Sequence, residues 1–116
     1  MNLSDDCKIL KIYISEDSRH KGHNLYHALV LKFKEMGIAG VTVTRGIEGY
    51  GQNGRLHSTR ILDLSLSLPI IVEVIDIPER IEKAVSVAKE MVNEGLMMVT
   101  DVHVIKYGKE QMESKN

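Results

Sequence analysis

The run "CKILKIYI" (7–14) is short and aliphatic, with lysines at a spacing that suits a strand in a covered sheet. From Asn24 the period changes. Leu25, Ala28, Leu29, Phe33 and Met36 recur at helical spacing, with Asn24 placed as N-cap and Gly37 as the stop. "GVTVT" (40–44) alternates apolar and hydroxyl residues, the pattern of a second strand. A third strand is expected from Thr59 onward: Leu62, Leu64, Leu66 and Leu68 alternate with polar residues, and the run passes a bend or bulge at Pro69 into "IIVEVI". Asp76 and Glu79 resemble a capping box, with Pro78 in the first helical turn. Ile77, Ile81, Ala84, Val85, Ala88, Met91 and Val92 then form one helical stripe that Gly95 closes. "LMMVTDVHVIKY" (96–107) predicts a fourth strand, and a polar tail follows it at 108–116.

The order βαββαβ predicts an α+β, ferredoxin-like domain: a four-stranded antiparallel sheet with both helices on one face. Leu10, Ile12 and Ile14 are expected to point toward the helices. The alternate positions would then present Ile9, Lys11, Tyr13, Thr42, Thr44, Ile71, Glu73, Ile75, Asp101, His103 and Ile105 on the other face. That set is too apolar for open water and too charged for an ordinary core, so the expectation is that further copies of the chain cover it. Lys11, Glu73, Asp101 and His103 would find partners there.

A chain of 116 residues holds one such domain, 1–116 with its core at about 7–107. The apolar share of 43% and the dispersed charged share of 27% favour folding over disorder. A net charge of -1 removes the broad basic field that non-specific nucleic-acid binding needs, so any anion site must be local. The single cysteine, Cys7, cannot make an internal disulfide, and the N-terminus carries no secretory pattern; a cytoplasmic protein is expected. "LSLSLPIIVEVI" (64–75) is too short and too interrupted for a membrane span.

Candidate chemistry concentrates in "RGIEGYGQNGR" (45–55), where Gly46, Gly49, Gly51 and Gly54 allow close backbone approach to an anion. Arg45, Arg55, His57 and Arg60 gather positive charge around this loop, and Glu48 is its one nearby acid. The segment matches no Walker or dinucleotide fingerprint, and a strand rather than a helix N-terminus follows it. An anion-binding nest and a long solvated connection both remain open. In "HKGHNLYH", His20, His23 and His27 fall within eight residues, but with no cysteine or carboxylate at ligand spacing they form a weak metal alternative beside solvent-facing histidines. His57 and His103 are isolated and expected to be hydrogen-bonded structural groups. No serine lies in a nucleophile elbow, and apolar neighbours would keep Cys7 a thiol, so no enzyme activity is expected. An RNA-recognition motif shares the βαββαβ order, yet the chain has four tyrosines and one phenylalanine, and that phenylalanine falls on the first helix; the aromatic signature is missing.

The stretches "AGVTVTRGIEGYG" and "RLHSTRIL…LPIIVEVID", in this order and spacing, resemble a small PII-like family of unknown function over about residues 7 to 107. The resemblance implies a ferredoxin-like subunit, a trimer, related in architecture to PII signal-transduction proteins and to CutA. Residues 46 to 58 would be the counterpart of the PII T-loop, which meets target proteins and responds to nucleotide in the cleft between subunits. Gly49, Tyr50 and Gly51 match the Gly-aromatic-Gly start of that loop. The second glycine-rich loop of PII, with its lysine, has no match in "VNEGLMMV", which offers one glycine and no basic residue.

The function implied is regulatory: a small anionic effector, an adenine nucleotide being the leading candidate, bound through Arg19, Arg45, Gly46, Gly49, Gly51, Arg55 and His57. Glu48, Tyr50, Gln52 and Asn53 would meet a target protein, a transporter or an enzyme. The alternative is a CutA-like protein binding a divalent metal through His20, His23 and His27 or His57.

Overall fold

The computed structural model describes residues 5–51, 57–58 and 68–109. In chain order its elements are β1 (Asp5–Ser15), β2 (Arg19–His20), β3 (His23–Asn24), α1 (Leu25–Glu35), β4 (Gly40–Arg45), β5 (Glu48–Gly49), β6 (His57–Ser58), β7 (Pro69–Asp76), α2 (Pro78–Met91) and β8 (Leu96–Val104). The main sheet has the order β4-β7-β1-β8 and is antiparallel throughout. With two helices between these four strands, the expected ferredoxin-like arrangement is the one found.

Alternation along the two central strands builds the core. Leu10, Ile12 and Ile14 of β1 pair with Val74, Val72 and Ile70 of β7, and all six are buried. Leu25, Leu29 and Phe33 of α1 and Ile81, Ala84 and Ala88 of α2 close over them. Burying an aliphatic or phenyl side chain of this kind contributes about 1.5–3 kcal/mol. Alanines at 84 and 88 let α2 lie close on its neighbours.

The first helix starts and stops as the sequence predicts. The Asn24 side chain accepts from the His27 N–H, Met36 is the C-cap, and Gly37 takes φ +77°, where a side chain would be strained. Between β1 and α1 stands a small hairpin that periodicity did not reveal. Its two turn residues, Lys21 and Gly22, both have positive φ (51° and 81°), the geometry of a two-residue type I′ turn, and they set His20 opposite His23.

Asp76 departs from its expected role. It is the last residue of β7 and fully buried, while Ile77 occupies the N-cap position of α2 without any side-chain cap. The carboxylate of Asp76 accepts instead from the Ile77 N–H at 2.7 Å and from the Ala39 N–H at 2.9 Å, and Arg80 Nε lies 3.5 Å away. One side chain thereby joins the end of β7, the approach to β4 and the first turn of α2. The need to satisfy a buried charge, rather than local capping, decides its place.

The face assignment of β8 also differs from expectation. Register against β1 pairs Lys8 with Asp101 and Asp6 with His103, which puts Asp101 and His103 on the side of Leu10. Because paired residues share a face, even-numbered positions of β8 and odd-numbered positions of β1 make the opposite surface. Its rows are Thr42–Glu73–Lys11–Met98 and Thr44–Ile71–Tyr13–Leu96. Lys11 and Glu73 approach each other at 4.0 Å, and Asp101 bonds Lys8 at 2.5 Å within the chain. His103 is exposed. The fourth strand ends at Val104, and beyond it the Tyr107 hydroxyl donates to the Ala39 carbonyl at 2.9 Å.

The third strand is described only from Pro69 onward; its expected earlier part, 59–67, lies outside the described residues. Among the described residues no helix is long and apolar enough to cross a membrane.

Candidate functional site at the base of the glycine-rich arm

The arm begins where β4 ends. Arg45 pairs in register with Ile70, and the next residue, Gly46, donates its N–H to the Pro69 carbonyl at 2.7 Å. A Cβ on Gly46 would stand 2.7 Å from Pro69 Cγ, so the absence of a side chain is what permits the two ends of the arm to meet. Beyond Gly46 the chain folds back as a short ladder, with Glu48 opposite Ser58 and Gly49 opposite His57. Ile47 and Tyr50 project from it, 74% and 75% exposed, an unusual way to spend apolar surface.

A third segment joins this base. After β1 the chain turns at Glu16, whose N–H donates to the Leu68 carbonyl at 2.9 Å while its carboxylate accepts from Arg45 Nη2. Glu16 thus holds the leading end of the arm through Arg45 and the trailing end through Leu68. Glu48 was expected to be the one acid near the arginines; the fold brings Glu16 there from 29 residues away. Neither partner is deeply buried, the side chains being 53% and 31% exposed for Arg45 and Glu16.

The remaining candidates divide. Gly51 is exposed, and a Cβ there would meet nothing. Arg19 sits on β2 opposite Asn24, exposed, and among the described residues forms no ion pair. His57 is described only by its backbone pairing, and Gln52, Asn53, Arg55 and Arg60 lie outside the described residues. His20, His23 and His27 line one shallow groove with Lys21 and Leu31 on the outside of the helices. Among the described residues no group of three or more histidine, cysteine, aspartate or glutamate side chains stands close enough to hold a metal ion. Cys7, on the opposite side of the sheet from Leu10 by alternation, is a buried thiol.

Sequence reasoning missed Glu16, Leu68 and Pro69. A glutamate in a polar turn carries no local mark of its partner, because the contact is created by strand order alone.

Residues 7–104 match the family model DUF190, described as Uncharacterized ACR. The chain belongs to the DUF190 family. Consistent with this, it is 41% identical over 100 residues to a UPF0166 protein of Methanocaldococcus jannaschii, covering 85% of this chain and 92% of that one. Among solved structures it is similar to CPII, a nitrogen regulatory PII-like protein from Thiomonas intermedia K12 bound to ADP, AMP and bicarbonate. That likeness has a TM-score of 0.60 at 14% identity, over 87% of this chain and 90% of the other. CutA1 from Oryza sativa follows with a TM-score of 0.57 at 12% identity, over 91% and 85%. At such identities the likeness is one of fold, and it gives this DUF190 member a PII-like architecture.

Proposed function

We propose that the chain is a subunit of a regulatory, PII-like protein working in the cytoplasm as a binding protein rather than an enzyme. A small anionic effector, best an adenine nucleotide, binds in a cleft between subunits at the arm base, and the arm meets a target protein, a transporter or an enzyme. The observation that carries this reading is the arm base itself. Between the second and third strands of a ferredoxin-like core, a half-exposed arginine, tied to Glu16 through one nitrogen only, stands beside a glycine at the point where the two ends of the arm meet. The fold-level likeness to a PII-like protein bound to ADP, AMP and bicarbonate supports the choice of ligand class. Arg45 and Gly46 are the residues assigned to the anion, with Gly49, Gly51, Arg19, Arg55 and His57 completing the set. Exposed Tyr50 and Ile47 are assigned to the partner.

The subunits associate through the sheet surface that carries Ile71, Tyr13, Met98 and Leu96, where Met98 and Leu96 stay 43% and 54% exposed on the single chain. Calorimetry with AMP, ADP, ATP, cyclic nucleotides and bicarbonate tests the effector, and light scattering at micromolar concentration tests the trimer. Heat from at least one nucleotide, lost in Arg45→Gln, is the expected result. No heat from the whole panel ends the nucleotide reading, and a monomer ends the assembly.

A further inference from the structure

We propose that Glu16 competes with the effector's anionic group for the Arg45 guanidinium, and so sets the affinity of the arm base for anions. The inference rests on the reading that Arg45 belongs to an effector site.

Three observations combine. The Arg45–Glu16 bond runs through one terminal nitrogen, Nη2, of a guanidinium that presents five N–H donors. The carboxylate is delivered by a fixed backbone: the Glu16 N–H is tied to Leu68 at 2.9 Å, and the turn behind it is closed by the Ser18 N–H on the Ser15 carbonyl at 3.1 Å. Both side chains remain open to water, unlike the fully buried Asp76 that faces Arg80 at the other end of β7. A pair in that setting gains little net free energy over its solvated parts, so it exchanges readily. A phosphate group carries more charge than a carboxylate and can take two guanidinium N–H groups at once. It displaces Glu16, whereas a weak monoanion meets a carboxylate already in place.

Glu16 also holds Leu68, and Gly46 holds Pro69, so the residue that loses Arg45 is part of the clamp on both ends of the arm. Those two ties are made by the backbone, so they hold the arm base in place while the Glu16 side chain exchanges Arg45 for the anion.

The test is a titration of inorganic pyrophosphate into the full chain, followed on the Arg45 guanidinium signal by NMR, for the wild type and Glu16→Gln. The half-saturation concentration should fall about fivefold in Glu16→Gln, the factor that loss of a competing surface ion pair allows. Glu16→Asp, with its shorter reach, should move it the same way if the amide variant fails to fold. In an Arg45→Gln background, calorimetry should show no gain from Glu16→Gln. An unchanged midpoint in both Glu16 variants overturns the proposal, as does a gain that persists without Arg45. ADP calorimetry run in parallel separates the two ideas. Pyrophosphate competition with no nucleotide heat keeps Glu16 and ends the nucleotide site, while ADP heat indifferent to Glu16→Gln does the reverse.

Discussion

Two acid–arginine pairs sit at opposite ends of β7 and behave as opposites. At the C-terminal end Asp76 is fully buried and faces Arg80, with two backbone N–H groups completing its shell. At the N-terminal end Glu16 and Arg45 meet in partial exposure, beside a close contact of backbone on backbone. Burial of Asp76 turns the first pair into a fixed joint, because removing that carboxylate leaves two backbone N–H groups and the Arg80 guanidinium without their acceptor. Exposure leaves the second exchangeable, since water competes for both partners at every moment. The same chemistry therefore fastens the scaffold at one end and leaves a guanidinium half-exposed to water at the other.

The comparison breaks most sharply at Asp76. Asp76→Ala should lower unfolding free energy by about 3–5 kcal/mol, measured by urea denaturation, because two N–H groups and a guanidinium lose their acceptor. A loss below about 1 kcal/mol would show that water reaches the site. Next comes Gly46→Ala, which drives a Cβ to 2.7 Å from Pro69 Cγ; an expected cost of about 1–3 kcal/mol locates the rigidity of the arm base in backbone approach. The smallest effect belongs to the exposed pair: a double-mutant cycle of Glu16→Gln and Arg45→Gln should return a coupling of about 0.2–1 kcal/mol in stability. A coupling as large as the Asp76 effect would erase the distinction between the two ends.

Much of the scaffold was legible in the chain. Asn24 and Gly37 bound the first helix in sequence and in structure, and the stripe from Ile81 to Ala88 is the stripe that packs. Such signals are local: a helix repeats every few residues and a strand alternates, so neighbours carry the message. Asp76 shows where that logic fails. Followed by a proline and a glutamate it has the form of a cap, yet burial at the strand end gives it partners in the turn before β4, at the N-cap of α2 and in the first turn of that helix.

The face of Asp101 and His103 failed for a related reason. Alternation fixes which residues of β8 share a face, while only pairing with β1 decides which face it is, and a one-residue difference moves all of them. The arm base lay between these cases. Its glycines and Arg45 stood out in the sequence, because residue types that permit close approach and bind anions are visible one by one.

By itself, then, the sequence determined the order of the four main-sheet strands and the two helices, the core stripes and the residue types of the glycine-rich arm, all of which short-range periodicity and residue type encode. Only the tertiary structure decided that Glu16 would stand against Arg45 and Asp76 against Arg80 and Ala39. Contacts between segments far apart in the chain arise from strand order and register, and no local pattern records them.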